Sequence, residues 1–206
     1  MDNYDVKKER RELYSAKQSF TVLEVPEMRF LAADGKGDPN TSDDYTAVVE
    51  ALYSTSYAIR AAAKEKLGRV HTVGPLEGLW SAKDMRAFQD DGREDAWEWT
   101  LMIAQPDWID DALLTEAQAT MKNKGKSPTA GDRVHLKDFE EGLSVQILYI
   151  GPYDQEAETI AKMHEEFLPK EGLAPRGRHH EIYLSDARRT DPSKLRTILR
   201  QSVRRI

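Results

Sequence analysis

The order of the predicted elements repeats along this chain, and that repetition constrains the fold more than any other feature. Hydrophobic periodicity predicts a strand, a long helix and two further strands between about residues 20 and 105, and the same order over residues 134–206. A helix that opens at Asp107 joins the two halves. The sequence therefore predicts an α+β fold, a tandem strand-helix-strand-strand repeat with antiparallel sheets. A helix covers only one face of each sheet, so the bare faces either meet or leave a central ligand groove.

Local signals set the expected bounds of these elements. The candidate strands are the segment around Glu181 and residues 20–25, 28–35, 76–82, 97–105, 134–139, 143–150 and 199–205. Thr41 or Ser42 is expected to cap the first long helix, Gly68 to end it, and Gly172 to end the helix of the second half. Residues 1–19 are predicted to be a charged segment ahead of one domain over residues 20–206.

Composition limits the class of protein. The 206 residues are 39% hydrophobic and 32% charged and contain no cysteine, which excludes disulfides, thiolate metal sites and thiol nucleophiles. The sequence has no apolar run long enough to cross a bilayer and no apolar signal region at its start, so a cytoplasmic protein with no membrane partner is expected. The net charge of −6 argues against nucleic-acid binding. No cofactor is expected.

The segment from residue 178 to residue 186 holds the strongest candidate site. Alternate side chains of a strand share a face, so Glu181 and Tyr183 point away from Ile182 and Leu184, which face the core. If the polar face borders a cavity, the carboxylate and the phenol form an acid/base pair or a receptor for a cation. If it meets water, they are an ordinary polar face. The duplicated architecture adds weight to the cavity, and both alternatives stay open at this point.

Aromatic residues could line such a cavity by stacking on a flat or cationic ligand. Trp80 is the first candidate, because its strand corresponds in the first half to the strand of Glu181 and Tyr183. The other candidates are Trp97, Trp99, Tyr57 and Tyr149. Core packing is the alternative role for each ring, and it applies to the tryptophans of the 97–105 strand if a helix covers their face.

The histidines form no metal-binding pattern. His164 lacks the second histidine that a zinc-binding helix needs, and His179 and His180 point to opposite faces of one strand. We therefore expect a surface His179, a structural His180 and no metal site. The chain also has no nucleophile elbow, so hydrolysis by a serine triad is not supported.

Residues 151–154 (Gly-Pro-Tyr-Asp) and 180–184 (His-Glu-Ile-Tyr-Leu) resemble the GyrI-like small-molecule-binding family. Residues 99–107 and 179–190 further resemble its stand-alone subfamily of cyclopropanoid cyclopropyl hydrolases, rather than the domains fused to transcription regulators. The resemblance covers the chain from about Met28 to the C-terminus.

This resemblance implies a tandem-repeat fold with a central groove, in which Glu181 matches the acidic residue that holds cationic aromatic drugs. Some stand-alone members open the cyclopropane of DNA-alkylating compounds inside an aromatic cage. The chain is thus expected to bind planar or cationic aromatic molecules and to hydrolyse cyclopropane-bearing xenobiotics, with Glu181 as the base and Tyr183 as a donor to the carbonyl oxygen. A non-catalytic binder that sequesters such compounds, or that inhibits a protein partner, is the alternative.

Overall fold

The structure, a computed structural model, describes residues 3–81 and 97–206. The elements of the first half are β1 (Asn3–Tyr4), α1 (Val6–Glu9), α2 (Arg11–Tyr14), β2 (Thr21–Lys36), α3 (Asp43–Leu67), β3 (Val70–His71), β4 (Leu76–Ser81) and β5 (Glu98–Gln105). They are followed by α4 (Asp111–Asn123), β6 (His135–Ile150), α5 (Ala157–Lys162), α6 (Leu168–Lys170), β7 (Leu173–Tyr183) and β8 (Arg196–Arg205). The expected polar loop before Trp97, and Ala82 at the expected end of β4, lie outside the described residues.

The six long strands of the described chain form one antiparallel sheet that closes like a barrel. Their order is β2-β5-β4-β7-β8-β6, and β6 pairs again with β2. The α+β class and the antiparallel pairing agree with the sequence prediction. Strands of the two halves meet at β4–β7 and at β2–β6, so β4 and β7 lie side by side in the middle of the sheet.

Two expected pairs of strands are each one continuous strand. β2 runs through Pro26, where β6 pairs on one side only, because pairing with β5 begins at Arg29. The missing N–H of Pro26 therefore interrupts no hydrogen-bonded ladder on the second side. β6 continues through Gly142, whose φ of +70° suits glycine.

The first long helix agrees with its predicted caps, whereas the linking helix does not. The Ser42 side chain accepts the backbone N–H of Tyr45 at 3.2 Å, and Gly68 ends α3 in the left-handed conformation. The linking helix α4 begins at Asp111, not at Asp107, because Asp110 caps it and residues 106–109 form a turn. The helix of the second half is interrupted by a π-helical turn at Met163–Phe167 between α5 and α6.

The sheet has two faces with different coverings. The helix-covered face packs under α3, α4 and α5 and contributes Leu31, Trp99, Leu101, Ile147 and Leu199, among others, to two apolar clusters. The opposite face joins strands of both halves in a third cluster that includes Phe30, Leu79, Met102, Leu148, Ile182 and Ile198. Because this cluster contains strands of both halves, the faces that the helices leave uncovered meet each other. Val6, Leu13 and Tyr14 of the N-terminal segment also pack in it. None of the helices in residues 3–81 and 97–206 is long and apolar enough to span a membrane.

Candidate functional site: a carboxylate among aromatic rings

Glu181 and Tyr183 lie on the helix-covered face of β7, next to the central strand β4. The Tyr183 hydroxyl donates to Glu181 Oε2 at 2.8 Å, and Trp80 Nε1 donates to the Tyr183 oxygen at 3.1 Å. The side chain of Glu181 is only 13% exposed. The pair is therefore not part of a polar face that is open to water, which is one of the two alternatives from the sequence. Ile182 packs in the cluster on the opposite face, as the alternation of the strand predicts.

Aromatic rings from four elements surround the pair. The ring of Tyr45, in the first turn of α3, stacks on the Trp80 ring with the ring centroids 6.2 Å apart. It also makes an edge-to-face contact with Trp99, at 5.3 Å between centroids. Trp80 in turn meets Trp97 edge to face at 5.6 Å. On the side of the second half, the Tyr153 ring meets the Tyr183 ring at 5.7 Å with the planes 78° apart. We call the rings of Tyr45, Trp80, Trp97, Trp99, Tyr153 and Tyr183 the aromatic cluster.

Two glycines make room for the indoles of this cluster. A Cβ on Gly78 would lie 2.7 Å from Trp80 Nε1, and a Cβ on Gly35 would overlap the Trp99 ring. Gly78 pairs with Glu181 in the register between β4 and β7. The Trp80 indole can therefore lie flat over Gly78 and beside the carboxylate, which a larger residue at position 78 would prevent.

The expected aromatic ligands have different surroundings. Trp80 and Trp99 belong to the aromatic cluster and are buried, and Trp97 belongs to it and is partly buried. The ring of Tyr57 is 59% exposed on α3 and is not among the rings that these contacts join in the described residues. Tyr149 lies on the helix-covered face of β6, and its hydroxyl donates to the carbonyl of Pro152.

Burial strongly affects the titration of the carboxyls here. Burial raises the pKa of Glu181 to about 7, against the opposing effects of the Tyr183 hydrogen bond and the positive His180. Glu156, which directly precedes α5, is 4% exposed, and burial together with the charge of Glu181 raises its pKa to about 9. Burial and the charge of Glu181 also raise the pKa of Tyr183 well above its usual value, so the phenol stays protonated. A carboxyl with a pKa near 7 is suited to accept a proton at neutral pH.

His179 is a correction to the sequence analysis. It was expected at the surface, but it is 2% exposed, and its Nε2 lies 3.6 Å from Glu181 Oε1. Burial, followed by the charges of His164 and His180, lowers the pKa of His179 to about 3. The imidazole is therefore neutral near pH 7 and does not form an ion pair with Glu181. His179 is buried because its side chain projects from the helix-covered face of β7, beside Glu181.

His180 is structural, as expected, and lies in a buried ionic network on the opposite face. Its two ring nitrogens lie 3.0 Å from carboxylate oxygens of Glu141 and Glu77, so both nitrogens donate and the ring is an imidazolium. Arg200 also binds Glu141, at 3.3 Å, and the Tyr14 hydroxyl donates to Glu77 at 2.7 Å. Burial alone would lower the pKa of His180, but Glu141 and Glu77 raise it to about 9.

Three residues of this site were not found from the sequence: Tyr45, Tyr153 and Glu156. Tyr45 and Tyr153 lie one to three residues from recognised helix-start signals, so their place at the ends of two helices that face one sheet could have been noticed. Glu156 has no such signal, because an acidic residue at a helix start is usual on any surface helix. As for metals, no group of three or more His, Asp or Glu side chains within the described ranges is placed to hold one.

Comparison with known proteins identifies the family. The model of the GyrI-like small molecule binding domain matches residues 18–201, which is most of the chain. The chain belongs to the GyrI-like family. Small-molecule binding is thus the general function of this GyrI-like chain, and the aromatic cluster with its buried carboxylate is a site of suitable chemistry. No curated protein sequence matches it.

Solved structures extend this comparison. An uncharacterized conserved protein from Listeria innocua is 38% identical, covers 98% of this GyrI-like chain with 100% of its own, and has a TM-score of 0.88. A hydrolase from Listeria innocua is 36% identical over the same shares of the two chains, also with a TM-score of 0.88. The C-terminal domain of EcmrR, 12% identical over 91% of this chain and 98% of its own, has a TM-score of 0.57 and shares the fold.

Proposed function

We propose that this protein is a hydrolase that opens the cyclopropane of flat, DNA-alkylating xenobiotics by adding water. The observation that carries this proposal is the hydrogen-bonded pair of Glu181 and Tyr183, buried among aromatic rings on a central strand. A relative with 36% identity over nearly the whole chain is a hydrolase, which supports a reaction over binding alone.

We further propose that the ligand lies in a groove between two structural repeats. The repeats are residues 20–105 and 134–206, joined by α4 within one domain over residues 20–206. Tyr45 of α3 and Tyr153 before α5 contact the rings of β4 and β7 from the two sides, so a groove between these helices would run over Glu181. This differs from a groove between the uncovered faces, which are filled by apolar side chains.

The aromatic cluster would hold the flat part of the substrate. Indole and phenol rings stack on planar molecules, and their negative faces attract cations. The ionised form of Glu181 adds a charge that none of the described Lys or Arg side chains neutralises through an ion pair on this face. Planar aromatic molecules with zero or one positive charge are therefore the class that this site fits.

The proposed reaction needs one base and one hydrogen-bond donor. Glu181 takes a proton from water, the oxygen of that water bonds to a cyclopropane carbon, and the strained carbon–carbon bond breaks. Its electrons move through the dienone to the carbonyl oxygen, which becomes a phenolate as the ring gains aromaticity. Tyr183 turns its O–H from Glu181 to this oxygen, where negative charge develops.

A non-catalytic binder is the second candidate function. The observation in its favour is that Trp80, Tyr183 and Glu181 form a continuous chain of hydrogen bonds among themselves, which suits a rigid receptor for a cation. Such a protein would sequester the compound, or act on a protein partner, without changing it.

The two functions are separated by following a cyclopropane-bearing alkylator with the purified protein by mass spectrometry. Hydrolysis gives a product heavier by one water, at a rate that depends on protein concentration. If the compound binds and is recovered unchanged, the hydrolase proposal is wrong and the binder takes its place.

A further inference from the structure

Glu156 is a second carboxyl beside the Glu181–Tyr183 pair. It is 4% exposed and lies against Thr197 of β8, which pairs with Tyr183 of β7 on one side and Tyr149 of β6 on the other. Its Oε1 is buried and accepts no well-formed hydrogen bond within the described part of the chain, although the Thr197 hydroxyl partly opposes the rise in the pKa of this carboxyl. A buried carboxyl oxygen without a partner is costly, and it is therefore a place where a ligand can supply the missing contact.

Among the described residues, the charged group that acts on Glu156 is another carboxyl, Glu181. Glu181 and Tyr183 face it from β7, Tyr149 from β6 and Tyr153 from the preceding turn. Farther out lie the ring of Tyr45 on α3, the neutral His179, and the positive His180, whose charge lowers the pKa of Glu181. In residues 3–81 and 97–206, no ion pair joins Lys or Arg to either carboxyl. Burial and the charge of Glu181 raise the pKa of Glu156 to about 9, so Glu156 keeps its proton near neutral pH while Glu181 titrates.

We propose that Glu156 is a second ligand-contacting group of this site, held as the neutral acid, which donates a hydrogen bond to an acceptor oxygen of the bound molecule while Glu181 provides the negative charge. This inference rests on the proposed function, because both use the same site. It defines the ligand more narrowly. With one carboxyl neutral and one ionised, the site suits a flat molecule with a carbonyl oxygen or with a single positive charge, and it does not suit a dication. A carboxyl kept neutral by an apolar site can donate in this way at neutral pH.

In the proposed reaction this role completes the proton balance. As the carbon–carbon bond breaks, the carbonyl oxygen takes the proton of Glu156, while Glu181 takes a proton from the attacking water. After the reaction Glu181 is protonated and Glu156 is ionised. Transfer of the proton from Glu181 to Glu156 restores the starting state. No outside acid is consumed.

Binding of a permanent cation tests the charge of Glu156 without any catalysis. Ethidium, a planar monocation, is titrated into the protein between pH 6 and pH 10. The wild-type affinity is expected to rise in two steps, near pH 7 and near pH 9, as the two carboxyls ionise, with the second step worth roughly tenfold. Glu156→Gln keeps the size of the side chain and should lose only the second step. Glu158→Gln, which changes an exposed glutamate two residues away in α5, is the matched control and should keep both steps.

A neutral flat ketone, 9-fluorenone, tests the hydrogen bond. At pH 7 its affinity should fall in Glu156→Ala and recover in Glu156→Gln, because the amide N–H can still donate. An infrared measurement on the wild-type protein removes any dependence on variant folding: the C=O stretch of one protonated carboxyl should disappear between pH 8 and pH 10. If that band is missing at pH 8, the inference is wrong.

The outcomes separate this inference from the proposed function. If ethidium binds in a Glu181-dependent way but Glu156→Gln keeps the second step, the role of Glu156 is wrong and the proposed site stands. If neither probe binds wild-type protein, both proposals fall together.

Discussion

At the scale of single residues, the site depends on a chain of three groups: the Trp80 indole, the Tyr183 hydroxyl and the Glu181 carboxylate. Each group fixes the next, because the indole can only donate and the ionised carboxylate can only accept. The phenol between them therefore has its oxygen occupied by Trp80 and its proton directed at Glu181. A change at any of the three should affect the others in a predictable direction.

Glu181→Gln is expected to lower hydrolysis by about 10²–10⁴-fold and to leave the affinity for a neutral flat ligand almost unchanged. Glutamine keeps the size and hydrogen-bonding capacity of the side chain but cannot take a proton from water. Tyr183→Phe should also slow the reaction, because the carbonyl oxygen loses its donor. The measurement is the single-turnover rate with a cyclopropane-bearing substrate; a wild-type rate in Glu181→Gln would remove the base role.

Trp80→Ala is expected to weaken binding of a planar cationic dye by roughly tenfold, because a stacked and partly desolvated ring is lost. Trp80→Phe should recover part of this affinity, since it keeps an aromatic face but not the N–H that binds Tyr183. Dye titration followed by quenching of tryptophan fluorescence measures both. Trp108→Phe serves as the control, because the ring contacts that Trp108 makes among the described residues are with His71 and Arg69. Equal affinity in Trp80→Ala and wild type would exclude Trp80 from the site.

How far single residues could be predicted depended on the range of the interactions that place them. The shared face of Glu181 and Tyr183 follows from local alternation along one strand, and it was predicted. The burial of His179 and the place of Glu156 depend on strands and helices that are distant in sequence, so no local pattern contains them.

At the scale of elements, α3 connects the capping of a helix to the geometry of the site. Ser42 caps the helix, and the residue whose N–H it accepts, Tyr45, stacks on Trp80 and Trp99. Fraying of the first turn should therefore move one wall of the aromatic cluster.

Ser42→Ala is expected to lower the free energy of unfolding by about 1 kcal/mol and to weaken dye binding by a few-fold. Ser42→Asp should restore both, because aspartate caps equally well and its charge is favourable at the helix start. Urea denaturation and dye titration are the measurements. If Ser42→Ala loses stability with no change in affinity, the first turn does not position Tyr45 for the ligand.

The elements also show what a linear sequence fails to specify. The sequence predicts separate strands on the two sides of Pro26 and of residues 140–142, whereas each pair is one continuous strand. Proline and glycine often interrupt strands. Gly142 pairs with Val25, the residue next to Pro26, so the irregularities of the two strands lie close together and the ladder continues on either side. The helix caps at Ser42 and Gly68 were predicted correctly because they act within one turn.

At the scale of the whole molecule, buried ionisable groups on both faces of the sheet link stability to pH. His180 has a folded-state pKa of about 9 against an ordinary 6.5, so its ion pairs stabilise fully below pH 6.5 and are lost as the pH rises through 9. Glu181 and Glu156 have pKa values raised to about 7 and 9 from 4.5. The folded state therefore holds their protons more tightly than the unfolded state, and stability also falls as the pH rises above 4.5.

Buried neutral histidines act in the opposite sense at low pH. The pKa values of His179 and His71 are lowered to about 3 and 4 from 6.5, so the unfolded state binds their protons first as the pH drops below 6.5. Between pH 4.5 and 6.5 the histidine and glutamate effects oppose each other. Stability should thus have a broad maximum in this mildly acidic range.

The free energy of unfolding is accordingly expected to decrease between pH 7 and pH 9, where many proteins change little. Each proton that the folded state holds more tightly contributes at most about 1.4 kcal/mol per pH unit. Glu156→Gln replaces the protonated carboxyl by a neutral amide of similar size that does not titrate. The free energy of unfolding of this variant should therefore fall less steeply between pH 7 and pH 9 than that of the wild type. The Glu158→Gln control, whose carboxylate is exposed, should follow the wild-type slope. Urea denaturation at pH 6, 7, 8 and 9 gives both slopes, and a wild-type stability that is constant or rises from pH 7 to pH 9 would contradict the assignment of buried protons to His180 and Glu156.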